Sequence, residues 1–168
     1  MTPEARRTAN EDLLRERGIP VNPHLPMIEG EDAITLRSED ELWRRLVALW
    51  GVVGTAMLRE NDYFKDYFSV GERRGWLSRD EAAFVFDDAR SEGDIVRFSW
   101  RLEAMVFLAW CGGLVDVLPM PEHPSSLESV LPLYPHDLGE ATMLRAALRL
   151  RSKAEIHDWS DRLYRLHW

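Results

Sequence analysis

"SEDELWRRLVALWGVVGTAML", residues 38–58, decides the fold. Ser38 with Glu41 three residues on is a capping box, so a helix starts here. Leu42, Leu46, Leu49, Trp50, Val53 and Met57 then recur at helical spacing. Beyond Leu46 nearly every face is apolar, which predicts a helix enclosed by other elements rather than laid on a surface. Gly51 and Gly54 cost helix propensity, and they predict that another backbone comes close there.

A second stretch reads the same way. "SEGDIVRFSWRLEAMVFLAWCGG" (91–113) is apolar through its second half and closes on paired glycines. Amphipathic segments surround these two. Thr2 and Pro3 open a first helix, and Gly18 stops it with Ile19 placed to fold back on Leu14. "NDYFKDYFSV" (61–70) pairs Tyr63 with Tyr67 and Phe64 with Phe68 one turn apart. Ser78/Glu81 and Ser152/Glu155 are further capping boxes, and a helix is expected over 138–149. In the last helix, Asp158–Arg162 and Asp161–Arg165 are spaced to pair. Period-two alternation and internal repeats are absent. The expectation is an all-α fold: one domain over 1–168, a compact bundle of about six helices around two largely buried apolar ones, 38–59 and 94–112.

Proline-rich connectors join the helices. "GIPVNPHLP" (18–26) is held extended by three prolines, with Val21, Leu25 and Met27 expected to face inward. Such a connector has little freedom to lose on folding. A second one, 116–137, carries five prolines.

The charge excludes some functions. The chain of 168 residues carries a formal charge of −8. Nucleic-acid binding needs clustered cations to displace counterions from phosphate, and no basic block is present. Between Arg101 and Arg145 no Lys or Arg occurs, while Glu103, Asp116, Glu122, Glu128, Asp137 and Glu140 fall in that interval. The simpler reading of the acidic region is solubility; the sharper one makes 116–140 a docking face for a basic protein partner. The apolar runs 46–58 and 104–115 are shorter than the roughly 20 residues a spanning helix needs. With a charged N-terminus and one cysteine, Cys111, expected to be buried, the chain reads as cytoplasmic, with no membrane partner.

Chemistry-bearing residues are few. Glu103 lies among Ser99, Trp100, Phe107 and Trp110 at helical spacing, so its carboxylate is expected to be largely out of water. Arg101 lies on nearly the opposite side of the helix and cannot pair with it. Another arginine, His24 or His167 could. The simpler reading is a buried ion pair fixing helix register. The sharper one is a general acid/base or small-molecule site at Glu103, with His24 and His167 as the other catalytic candidates. Binding candidates are Arg101, Trp100, Trp110, Glu122 and Glu128. The His24 ring is expected to hold the connector by hydrogen-bonding backbone, with a ligand or proton-transfer role as the alternative. His123 and His136 are placed in solvated loop, and His157 in a surface pair with Asp161. The five histidines show no metal-binding spacing and no phosphate-cradling motif occurs, so neither metal nor cofactor is expected.

Four stretches, "RERGIPVNPHLPMIE" (15–29), "LRSEDEL" (36–42), "WRLEAMVFLAWCGGLVDVLP" (100–119) and "DRLYRLHW" (161–168), together resemble a bacterial family known as domain of unknown function 4272. The matching features are Pro20, Asn22, Pro23, Trp100, Arg101, Glu103, Arg165 and Trp168. The resemblance implies no activity. It implies a family that continues past Trp168 with a further helical, tryptophan-containing segment. The expected function is a protein-binding module, immunity- or adaptor-like and without catalysis; the alternative is an enzyme or small-molecule binder with a buried site around Glu103.

Overall fold

The computed structural model describes residues 1–58, 62–130 and 140–167. Among these the elements are helices and loops, with no strand. The fold is all-α. Contacts group the chain into two compact units, Ser38–Leu150 and a unit made from Met1–Arg37 with Arg151–Trp168, where the sequence reading treats 1–168 as one domain.

In the 38–150 unit, α2 (Glu39–Met57) is the central helix. Both halves of its capping box form: the Ser38 side chain accepts from the Glu41 N–H, and the Glu41 side chain accepts from the Ser38 N–H. The enclosure expected of it is realised by two faces. Leu42, Leu46, Leu49 and Val53 pack with Leu102, Met105, Val106 and Ala109. Val47, Ala48, Val52 and Ala56 pack with Phe64, Phe68, Leu77, Phe84, Val85 and Phe98. Each fully buried Leu, Val or Phe contributes about 1.5–3 kcal/mol, so these two clusters hold the unit together.

The second cluster comes from α3 (Asp62–Ser69), α4 (Arg79–Phe86) and α5 (Glu92–Ser99). The close approach at Gly51 and Gly54 involves ring faces rather than a neighbouring backbone. A Cβ at Gly51 would lie 2.2 Å from the Phe68 ring, and one at Gly54 would lie 2.2 Å from the Phe64 ring. Trp50 meets Phe64 edge-on at 4.9 Å, which leaves that ring little room to retreat. Gly54→Ala should therefore destabilise the chain by about 1–3 kcal/mol despite the better helix propensity of alanine. A urea midpoint unchanged or raised in G54A would contradict this packing.

The stretch read as one helix over 94–112 is two: α5, and α6 (Arg101–Cys111). The break is at Trp100. The Ser99 hydroxyl donates to the Val96 carbonyl at 2.8 Å, and Glu103 N–H reaches the Trp100 carbonyl in a tighter three-residue turn at 3.3 Å. Burial differs accordingly: α6 buries six residues and α5 only Phe98. At the end of α6, Gly113 takes φ +70, and a Cβ there would meet the Arg149 carbonyl at 2.8 Å. Helix α7 (Glu140–Ala147) ends two residues before the 149 expected, and 138–139 lie outside the described residues.

The other unit is built differently. Helix α1 (Pro3–Glu16) starts on the Thr2 side chain and ends in the expected Schellman turn: Gly18 N–H donates to Arg15 O and Ile19 N–H to Leu14 O, both at 2.9 Å. Helix α8 (Lys153–Leu166) starts with the third capping box. Between them runs the connector 18–30, then a short turn, Glu31–Ala33. Val21 and Leu25 are half-buried as expected, whereas Met27 is exposed. The Arg7 guanidinium clamps the connector by donating to the Pro23 carbonyl. Among the described residues of this unit, Leu14 is the one buried apolar side chain; Arg6, Asn10, Glu11, His157, Asp161 and Arg165 are buried beside it.

Candidate functional site

Glu103 is where sequence reasoning concentrated the chemistry. It lies in the first turn of α6 and is half-buried, but its partner is not a cation. The Ser125 N–H donates to one oxygen and the Ser125 hydroxyl to the other, both at 2.7 Å. Residue 125 lies in the proline-rich segment after α6, and the carboxylate clamps that segment. The expected arginine or histidine is replaced because a loop N–H and hydroxyl satisfy the same lone pairs without a second desolvated charge. Both Glu103 oxygens are thus engaged by Ser125.

The clamped segment is an exposed strap with a buried underside. Leu114, Val115, Leu118 and Leu127 pack against the α2–α6 cluster, and Val130 is fully buried. Outward face Asp116, Val117, Pro119, Pro121, Glu122, His123, Pro124 and Glu128, with Val117 74 % exposed. One helical turn before Glu103, the Trp100 indole is 58 % exposed, and Val96, a turn further back, 56 %. The clamp thus sets an acidic, proline-rich strap beside an exposed indole.

The remaining candidates divide between the units. Arg101 is exposed. Trp110 is buried and stacks on Phe107 at 5.9 Å, a core position. His24 is exposed, and where its ring was expected to bond backbone, the bond seen is from its backbone N–H to Asn22 Oδ1 at 3.0 Å, an Asx turn that holds the connector. His167 is exposed at the end of α8. His24 and His167 belong to the terminal unit, and Glu103 to the 38–150 unit. His136 and Trp168 lie outside the described residues. A shallow cleft of about 220 Å3 sits over the stacked Phe84–Phe98 pair and is rimmed by Asp80, Asp87, Asp94 and Arg90. Arg90 is spent on the end of α4, donating to the Phe84 and Val85 carbonyls at 2.7 Å each. Among the described residues no group of three His, Cys, Asp or Glu side chains could hold a metal ion, and no helix is long and apolar enough to cross a membrane.

Sequence reasoning missed a buried ionic network in the terminal unit. Arg165 grips Asp161 with two hydrogen bonds of 2.9 Å and reaches Glu11 at 3.1 Å. Asn10 donates to Asp161 at 2.9 Å. Arg6 donates to Asp158 at 2.6 Å and to Glu31. The expected Asp158–Arg162 pairing gives way to these: Asp158 takes Arg6, and Arg162 donates to Asn10 Oδ1 at 3.1 Å. His157, read as a surface residue, is only 4 % exposed, because its side of α8 packs on α1.

The family described as "Domain of unknown function (DUF4272)" matches residues 6–168, essentially the whole chain. This chain belongs to the DUF4272 family. No curated protein and no solved structure matches it. The strap with its Glu103 clamp and the α1–α8 network both fall within the matched DUF4272 region.

Proposed function

We propose that this DUF4272 chain is a protein-binding module, immunity- or adaptor-like, that docks a basic partner on the acidic region 116–140, of which 131–139 lie outside the described residues, and on the Trp100 indole. The observation that carries this reading is the Glu103–Ser125 clamp. It spends the most chemically suggestive carboxylate on ordering a surface segment. A segment already ordered by prolines and a clamp has less entropy to lose when a partner arrives.

The chemistry of the surface supports the partner class. Asp116, Glu122 and Glu128 face out along the strap, in a stretch between Arg101 and Arg145 where the sequence carries acidic residues and neither Lys nor Arg. Exposed Trp100, Val96 and Val117 supply apolar anchors, with indole the side chain most often found carrying interface energy. The partner presents lysines or arginines around an apolar pocket.

A photo-crosslinking amino acid at Val117, in cells that express the protein, tests this. The expected result is one discrete adduct that is lost in Trp100→Ala and in Glu122→Lys/Glu128→Lys, with helical content unchanged. An adduct indifferent to both variants, or none, would overturn the proposal.

A further inference from the structure

The terminal unit has an unusual construction for a folded unit. Its helix pair meets mostly through polar side chains at matching spacing: Arg6 and Asn10 on α1, two turns and one turn before the apolar Leu14, and His157, Asp161 and Arg165 on α8. Two atoms in this interface have no hydrogen-bond partner although both are buried: Arg6 Nη1 and His157 Nδ1. The charged groups acting on the imidazole come from every element packed there. They are Arg6 on α1, Glu31 on the short turn after the connector, and Asp158 and Asp161 on α8 itself.

We propose that α1 and α8 form an acid-released helix pair, closed by a neutral His157 and opened when that imidazole takes a proton beside the Arg6 guanidinium. The carboxylates that could welcome the new charge are already engaged. Glu31 and Asp158 hold Arg6, and Asp161 is gripped by Arg165 and Asn10. A protonated His157 therefore places a second cation next to Arg6 inside an interface with one fully buried apolar residue to hold it.

Burial pushes the His157 imidazole below its ordinary value, and Arg6 pushes the same way; Glu31, Asp158 and Asp161 pull upward and do not win. A base depressed in the folded state contributes stability that is complete above its ordinary value of 6.5 and is lost as pH falls toward the folded value. Among the described residues of the 38–150 unit the buried charged side chain is Glu81, which burial would raise but which bonds from Arg45 and Ser78 hold at about 2.

The test is amide exchange of the full chain at about pH 7.5 and about pH 5, expressed as protection after correction for intrinsic exchange. Protection in α1 and α8 should fall about tenfold or more at the lower pH, while α2 and α6 keep theirs. His157→Gln, which cannot titrate, should remove most of that fall. Unchanged α1 and α8 protection in the native protein, or the same fall in H157Q, would overturn the proposal. If H157Q leaves the pair open at both pH values, the imidazole resonances of the native protein decide. Titration clearly below 6.5, coincident with the loss of protection, supports the mechanism. Titration at or above that value sinks it.

Discussion

Replacing Arg165 with alanine should cost the α1–α8 pair about 3–5 kcal/mol, the range for removing one partner of a buried ion pair. Arg165 is 1 % exposed, as is Asp161, and two parallel bonds of 2.9 Å join them. Without the guanidinium, Asp161 keeps the single bond from Asn10 in a site where it is 1 % exposed. Glu11 suffers less, because Arg7 and Arg15 still hold it at 2.7 Å each. Arg165→Lys keeps the charge but not the fork, and should cost about 1–3 kcal/mol. Amide exchange in α1 and α8 reads both. A loss below about 1 kcal/mol in R165A would mean the network is ornamental.

Glu81→Ala should cost the 38–150 unit about 3 kcal/mol, with a sharper pH signature. The Glu81 side chain is 2 % exposed and accepts from Arg45 at 2.7 and 2.8 Å, while also closing the capping box of α4 with Ser78. Burial would raise this carboxyl; those partners win and hold it at about 2 against an ordinary 4.5. The unfolded chain therefore binds this proton first as pH falls. The stability Glu81 supplies is complete above 4.5 and disappears as pH approaches about 2. That difference corresponds to about 3 kcal/mol. Urea unfolding of the native chain at a series of pH values should show this acid limb, and E81A should lack it. Parallel curves for the two proteins would contradict the assignment.

Much of the fold was legible because its signals are local or periodic. Three capping boxes and the Schellman turn at Gly18 form as their spacings require. Helix α2 is enclosed as its all-round apolar pattern demands. The break at Trp100 was not legible, because nothing in the apolar periodicity registers a serine hydroxyl competing for a carbonyl. Glu103 was rightly singled out as a carboxylate needing a partner, but that partner lies 22 residues away in a loop, and spacing cannot find it. The α1–α8 network escaped for a different reason. A search for apolar stripes passes over a polar stripe at the same period, although Arg6, Asn10 and Glu11 against Asp158, Asp161 and Arg165 carry complementary groups. His157 and Asp161 were seen as a pair, and their charge argued for the surface.

The central claim is that oily packing holds residues 38–150 while buried charge holds the terminal helices. Native-state amide exchange of the whole chain against increasing urea, near neutral pH, tests it most directly. The account predicts two separate opening events, with α1 and α8 exchanging through a smaller one than α2 and α6. A single opening free energy and urea dependence shared by all four helices would contradict it.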